Sequence, residues 1–199
     1  FHKYTAFFFF ISGKSDNFAG LQFYAVGRRR SLTSRDSGQN IRGMVSIFYR
    51  SSGKIVYSQS MSDLTVLKHE DVIWIDLFSP TGDEKRATEA FLDTEIQSRA
   101  QAEEIESSSR FSETDTAIFA NTNFLIPGPE EYAMEAVSFT LVENVLTTLR
   151  DVPLRSFTEL QRKMQAVPRL FPNGYWVFVS IMDQRVDLDA DMIELMSKE

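Results

Sequence analysis

The sequence predicts an α/β fold with a mixed sheet flanked by helices. Segments with strand character alternate with segments of helical periodicity in the first part of the chain, and hairpins follow later. Strands joined through a helix are expected to pair in parallel, and strands joined by a short turn to pair antiparallel. A chain of 199 residues with 43% apolar residues and 17 Phe is long enough to bury a sizeable core in one domain.

The first strand signals form a hairpin. Residues 44–49 read Met-Val-Ser-Ile-Phe-Tyr, and residues 55–57 read Ile-Val-Tyr. Between them, residues 51–54 read Ser-Ser-Gly-Lys, which is typical of a turn. Two apolar runs separated in this way predict a pair of antiparallel strands.

A third strand is predicted over residues 72–78, which are apolar at every position except Asp76. Such a strand is usually buried on both faces, in a sheet that helices cover. A helix is then predicted to begin at Ser79-Pro80, because Thr81 and Glu84 have the spacing of a capping box. The apolar stripe of this helix is predicted to comprise Ala87, Phe91 and Ile96.

The remaining segments follow the same rules of periodicity and turn composition. They predict a short helix over 98–106, a strand over 116–126, a turn at 127–129, a hairpin of strands 135–142 and 145–150, a helix over 153–167 and a helix over 175–199. The predicted inward stripes of the last two helices are Phe157, Leu160, Met164 and Val167, and Val179, Met182, Val186, Ile193 and Met196. No Gly or Pro ends the last helix, so we expect the natural chain to continue beyond it.

Residues 1–43 differ in composition from the rest of the chain. They hold seven Lys or Arg against two Asp or Glu, whereas residues 44–199 hold 14 against 26. They include Arg28-Arg29-Arg30 and a Ser/Gly-rich stretch over 31–43. We interpret 1–43 as an atypical N-terminal extension and 44–199 as the domain, with an N-terminal arm that packs on the domain through Phe7–Phe10 as the alternative.

Composition excludes or disfavours several functions. The net charge of −7 opposes binding to phosphate backbones, so we predict no nucleic-acid partner. The chain has no Cys, which excludes disulfides and thiolate metal sites. The apolar run over 6–11 is far below the roughly 20 residues that span a bilayer.

Nothing in the sequence predicts an enzyme. The two His residues, His2 and His69, are isolated, and a lone His in a polar loop is more often a surface residue than a base. Nucleophile elbows, phosphate-binding loops, dinucleotide fingerprints and paired-His zinc motifs are all missing from the sequence. An unrelated soluble enzyme remains an alternative without sequence support.

Two acidic clusters are the candidate binding chemistry. The first is Glu103-Glu104 with Glu106, and the second lies on the last helix, where Asp183 and Asp187 begin a face at three- or four-residue spacing. Hard cations such as Mg²⁺ take oxygen ligands, keep several waters and need only one or two carboxylates. From the residues alone, a solvated helix face is the more common explanation of both clusters, because charge runs mostly lie on solvated surfaces.

The order of several short segments resembles the N-terminal cytoplasmic domain of the CorA family of magnesium and cobalt transporters. The resemblance covers 44–199. It is carried by Ile73-Trp74-Ile75-Asp76-Leu77 with Pro80 and Asp83-Glu84, by Glu103-Glu104-Ile105-Glu106 with Ser109-Arg110-Phe111, and by Val137-Ser138-Phe139-Thr140-Leu141 with Leu146-Thr147-Thr148-Leu149-Arg150.

The resemblance implies an α/β/α sandwich at the cytoplasmic face of the inner membrane. It implies a homopentamer in the full-length protein, anchored by membrane segments that this sequence does not contain. The family's Gly-Met-Asn pore loop is missing, since Gly43-Met44 is followed by Val45. The resemblance further implies a domain that senses intracellular Mg²⁺, with Co²⁺ as the alternative ion, and gates the pore.

Glu104 matches the family's sensing position, and its partner would lie on a helix of the adjacent subunit. Metal binding by this chain alone is therefore expected to be weak. The candidate metal ligands are Glu104, Glu103, Asp183 and Asp187. Two alternatives stay open, a passive cap of the same transporter without an ion site and a zinc-transporting relative. Zinc prefers His and Cys ligands, which are scarce here.

Overall fold

A seven-stranded mixed sheet organises the protein. The structure is a computed structural model and describes residues 43–97, 111–126 and 133–197. The strands are β1 (Met44–Ser51), β2 (Lys54–Ser58), β3 (Val72–Phe78), β4 (Phe111–Glu113), β5 (Ala117–Ile126), β6 (Ala133–Val142) and β7 (Val145–Arg150). The helices are α1 (Gly82–Leu92), α2 (Arg155–Ala166) and α3 (Gly174–Met196), and short 3-10 turns lie at Met61–Thr65, His69–Asp71 and Pro168–Leu170.

The strand order is β2-β1-β3-β7-β6-β5-β4. Among these strands, β3 and β7 pair in parallel, and the other neighbours pair antiparallel. The chain reaches β7 from β3 through α1 and the outer strands, whereas short turns join β1 to β2 and β6 to β7. The predicted α/β fold with a mixed sheet is therefore confirmed.

Helices cover both faces of the sheet. On one face, Leu92 of α1 joins a core of aliphatic side chains that includes Ile75 and Leu77 of β3. On the other face, aromatic rings link the sheet to α2 and α3. The ring centroids of Trp74 and Phe157 lie 5.7 Å apart, and those of Phe139 and Phe178 lie 5.2 Å apart. The predicted α/β/α sandwich is thus confirmed.

Most predicted strands and turns occur where the sequence placed them. The hairpin of β1 and β2 and the hairpin of β6 and β7 both form, and β3 is buried at six of its seven positions. The short helix predicted over 98–106 and the turn at 127–129 lie outside the described residues. Residues 1–42 also do, so the division into an extension and a domain stays a prediction.

The first predicted helix begins as expected, but its buried side differs. The Thr81 hydroxyl accepts from the Glu84 N–H at 3.2 Å, and the Glu84 carboxylate accepts from the Thr81 N–H at 2.7 Å. Thr88 and Leu92 are the buried residues of α1, whereas Ala87 and Phe91 are half-buried. The Thr88 hydroxyl donates to the Glu84 carbonyl at 2.9 Å, which satisfies it inside the core. The buried side chain of Ile96 lies beyond the end of the helix.

The two C-terminal helices differ in how well the sequence predicted their buried residues. In α2, Phe157, Leu160 and Met164 are fully buried, as predicted, and Val167 is half-buried beyond the helix end. In α3, Met182 of the predicted stripe is buried and Val179 is half-buried, but the prediction is wrong for Val186 and Ile193, and the side chain of Met196 lies outside the described residues. Val186 is 47% and Ile193 68% exposed. The buried side chains of α3 are Val177, Phe178, Ile181 and Met182, because only the first half of the helix packs on the sheet.

A buried ion pair explains why β3 contains Asp76. The side chains of Asp76 and Arg150 are 2% and 6% exposed, and they meet across the parallel pairing of β3 and β7. Arg150 Nε donates to Asp76 Oδ1 at 3.1 Å, and Arg150 Nη2 donates to Oδ2 at 2.8 Å. Thr148 Oγ1 and Gln161 Nε2 also donate to this carboxylate, at 2.9 Å and 3.3 Å. The bidentate hydrogen bonding and the two extra donors offset the free-energy cost of removing both charges from water.

Gly174 allows α3 to start against the sheet. Its N–H donates to the Asn144 carbonyl at 2.6 Å. A Cβ at this position would lie 2.7 Å from the Ile73 carbonyl oxygen and 2.8 Å from the Asn144 carbonyl oxygen. These are backbone atoms of the sheet and of a turn, so they cannot yield as a flexible side chain would. The absence of a side chain at Gly174 is therefore required for this approach.

We expect Asp76→Ala to lower the free energy of unfolding by about 3–5 kcal/mol, because it leaves the Arg150 guanidinium buried without its counter-charge. Urea unfolding measures this loss. The matched control is Asp83→Ala, which removes the carboxylate that pairs with Arg86. The Asp83 side chain is 89% exposed, so this pair lies at the surface. That variant should lose less than about 1 kcal/mol, and equal losses in the two variants would contradict our account of the buried pair.

We expect Gly174→Ala to lower the free energy of unfolding by about 1–3 kcal/mol, because the added methyl group overlaps backbone atoms of the sheet. Gly82→Ala is the control. A Cβ at Gly82 meets only the tip of the Arg86 side chain, at 3.3 Å. That change should be neutral or slightly stabilising, and thermal unfolding of both variants checks the difference.

Candidate functional site

The C-terminal half of α3, from Asp183 onward, carries exposed carboxylates and is called the outer half below. Asp183 and Asp187 are both exposed and lie four residues apart, so they are neighbours along one side of the helix. Asp191 is exposed one further turn along. Asp189 differs, because its carboxylate lies 3.5 Å from Arg185 Nε. The face that the sequence predicted is thus present and open to solvent at Asp183 and Asp187.

Two neighbouring carboxylates can supply part of a site for a hard cation. Mg²⁺ is commonly held by one or two carboxylates while it keeps several of its waters. Within 43–97, 111–126 and 133–197, no three His, Asp or Glu side chains are grouped so that they could hold a metal ion. The roles of Asp183 and Asp187 as metal ligands stay predictions.

The other two predicted ligands, Glu103 and Glu104, lie in the 98–110 segment, which is outside the described residues. The residues on either side of that segment, Gln97 and Phe111, are described. Gln97 accepts a hydrogen bond from Asn121 of β5, with 2.6 Å between Nδ2 and Oε1. β4 then pairs with β5 at the edge of the sheet. The roles of Glu103 and Glu104 stay predictions.

Exposed apolar side chains accompany the acidic residues on α3. Val186, Leu188 and Ile193 are 47%, 45% and 68% exposed. Aliphatic side chains grouped at one end of a helix are a common feature of surfaces that contact another element or another chain. The outer half of α3 is thus both charged and apolar, unlike a uniformly solvated helix face.

His69 has a packing role that the sequence did not predict. Its ring stacks on Phe91 of α1 with 5.3 Å between centroids, and its Nδ1 lies 3.4 Å from a carboxylate oxygen of Glu143. Both partners are far from His69 in sequence, so no local pattern could have identified them. We find no nucleophile beside this ring among the contacts of the described residues.

The part of the chain that the structure describes has no helix with both the length and the apolar character required to cross a bilayer.

Comparison with known proteins gives two kinds of match. A sequence model of the family described as "CorA-like Mg²⁺ transporter protein" matches residues 69–199. The magnesium transport protein CorA of Wolinella succinogenes is 33% identical over 161 residues, which cover 78% of this chain and 50% of that protein. The chain thus spans about half the length of this curated relative.

Two solved structures share the fold. The full-length CmaX protein superposes with a TM-score of 0.58 at 13% identity, covering 81% of this chain and 51% of that chain. The cytoplasmic domain of ZntB from Vibrio parahaemolyticus superposes with a TM-score of 0.52 at 16% identity, covering 77% of this chain and 63% of that chain. At these identities the likeness concerns the fold alone.

We expect Asp187→Asn to raise the free energy of unfolding by about 0.2–0.5 kcal/mol in low salt without divalent cations, because it relieves repulsion from the neighbouring carboxylates. The gain should disappear at about 1 M salt, which screens exposed charges. Asp115→Asn, at an exposed position outside the helices, is the control and should change nothing measurable. A gain that persists in high salt would contradict an electrostatic origin.

Proposed function

This chain belongs to the CorA family, and on that premise we propose that it is the cytoplasmic domain of a Mg²⁺ transporter, which senses the intracellular cation and gates the pore. The observation that carries the proposal is the family match over 69–199. In the proposed assembly the domain lies at the inner face of the membrane and is joined to pore segments outside this sequence. Its role is binding and gating, without a chemical reaction.

The proposed mechanism is electrostatic feedback between subunits. Exposed carboxylates such as Asp183 and Asp187 face a neighbouring copy and repel its acidic residues when no cation lies between them. Bound Mg²⁺ offsets this repulsion and holds the subunits together in the closed arrangement. When the intracellular Mg²⁺ concentration falls, the cation leaves and the subunits separate, which opens the pore. Glu104, which matches the family's sensing position, is the proposed principal ligand, and Glu103 lies beside it.

Self-association is part of the proposal. The exposed apolar side chains on α3, Val186, Leu188 and Ile193, supply the surface that could pack between copies. We propose a homopentamer for the full-length protein, as the family resemblance implies. Each site is then divided between subunits, which explains why a single chain would bind the cation weakly. We propose Mg²⁺ as the transported ion, with Co²⁺ as the alternative cargo.

A passive cap is the second candidate function. In that role the domain shapes the entrance of the pore and its acidic surface concentrates cations by its field alone. The observation that favours it is that, in the described part of the chain, no three potential ligands converge on one point. A zinc-transporting relative is a third candidate, but His69, the one His among the described residues, is already engaged by Phe91 and Glu143.

We expect calorimetric titration of Mg²⁺ into this chain to give weak, saturable binding that Glu104→Ala abolishes and that the double change Asp183→Asn with Asp187→Asn weakens. Removing a carboxylate removes a ligand that a hard cation requires. Glu70→Ala is the control, since its side chain is 75% exposed and lies outside both acidic clusters.

In the full-length protein, Glu104→Ala should leave transport less sensitive to intracellular Mg²⁺. Unchanged sensitivity would reject Glu104 as the sensor. Binding that both variants and the Glu70→Ala control weaken alike would instead favour the passive cap, because it would reflect the overall charge.

A further inference from the structure

A cleft of about 270 Å³ lies between the β1–β2 edge of the sheet and helix α2. Its floor includes the ring of Phe48, which is 1% exposed, and the side chain of Ser46, which is 5% exposed. Its walls carry Gln59 after β2 and the side chains of Gln161, Arg162 and Gln165 on α2. The three α2 residues recur at helical spacing, so they present one polar side of the helix to the cleft.

The cleft concentrates polar groups that have no partner within the described part of the chain. Gln59, Arg162 and Gln165 make no side-chain hydrogen bond or ion pair with the rest of the described chain, and neither does the Ser46 hydroxyl. The Ser46 residue is 5% exposed and lines the cleft, so its hydroxyl is reached from the cleft. A molecule held in the cleft would take the place of water as the partner of these groups.

Gln161 links the cleft to the buried ion pair. Its Nε2 donates to Asp76 Oδ2 at 3.3 Å, and this bond holds the amide in one orientation. With Nε2 engaged in this way, the Gln161 carbonyl oxygen is available as an acceptor. A side chain held by the core loses less conformational entropy on binding a ligand than a free one does.

The charge of the cleft is opposite to that of the chain. Arg162 is the one charged residue among those that line it, and no carboxylate does. The whole chain carries a net charge of −7. A cleft with one guanidinium, several amides and a hydroxyl therefore suits a molecule with one anionic group and several neutral hydrogen-bonding groups.

The size of the cleft limits the ligand. Ligand pockets in proteins usually range from about 300 to 1,000 Å³, so this cleft lies at the small end. The ring of Tyr57, which is 53% exposed, stacks on Phe48 with 5.8 Å between centroids and adds a flat surface at the wall.

We propose that this cleft binds a small organic anion that carries one phosphate or carboxylate group and several hydroxyl or amide groups. Arg162 pairs with the anionic group, and Ser46, Gln59, Gln161 and Gln165 bond the neutral groups. None of the acidic residues of the proposed cation site takes part. The proposal therefore stands or falls independently of Mg²⁺ sensing.

The test uses ribose 5-phosphate, gluconate and inorganic phosphate as probes, titrated into the whole chain and followed by amide shifts in NMR spectra. We expect ribose 5-phosphate or gluconate to bind saturably and to shift amides of β1, β2 and α2. Binding of ribose 5-phosphate alone identifies the anionic group as a phosphate, and binding of gluconate alone identifies it as a carboxylate. Inorganic phosphate should bind at least about tenfold more weakly than ribose 5-phosphate, because it lacks the neutral groups.

Arg162→Gln should weaken the binding by about tenfold, since one charge-assisted hydrogen bond is lost. Lys163→Gln is the matched control, because Lys163 is an exposed neighbour on α2 that does not line the cleft. Ser46→Ala is a second variant and should weaken binding without changing net charge.

Three results would overturn the proposal. One is the absence of saturable binding by both organic probes. Another is equal weakening by Arg162→Gln and Lys163→Gln, which would show attraction to charge alone. The third is that inorganic phosphate binds as tightly as ribose 5-phosphate, because the cleft would then hold an adventitious ion only.

Discussion

The ion pair of Asp76 and Arg150 is the interaction on which the rest of the structure depends. It crosses the parallel pairing of β3 and β7, where the sheet joins its N-terminal hairpin to its C-terminal strands. Two charges buried there would be costly without partners, so Thr148 and Gln161 must lie where they can bond the carboxylate. Because Gln161 belongs to α2, the pair also fixes that helix against the sheet.

The same region determines how α3 leaves the sheet. Gly174 brings the start of the helix onto the backbone between β3 and β7, and Phe178 then packs on Phe139. The first half of α3 is buried by this packing. The second half is left with exposed carboxylates and aliphatic side chains, which is why the proposed contacts with other subunits are assigned to it.

Helix α2 has an apolar side and a polar side with different contacts. Its apolar side places Phe157 beside Trp74 and under the Arg150 guanidinium, 4.9 Å from the ring centroid. Its polar side lines the cleft, where Gln161 alone reaches both the core and the surface. The proposed anion site thus shares a support with the buried ion pair, while the proposed cation site lies on α3. The two sites use opposite charge, so each would select its ligand by electrostatics.

The sequence by itself predicted six of the seven described strands, the three described helices, the capping box of α1 and the mixed sheet, because these follow from local periodicity and turn chemistry. It also identified Asp183 and Asp187 as a shared helix face. It missed the short strand β4, whose three residues have no such pattern. Only the tertiary structure decided that Asp76 is paired with Arg150, that His69 packs on Phe91, and that Ile193 is exposed. Each of these depends on which distant segments meet. A helical stripe shows which residues could be buried together, but contact with the sheet decides which of them are.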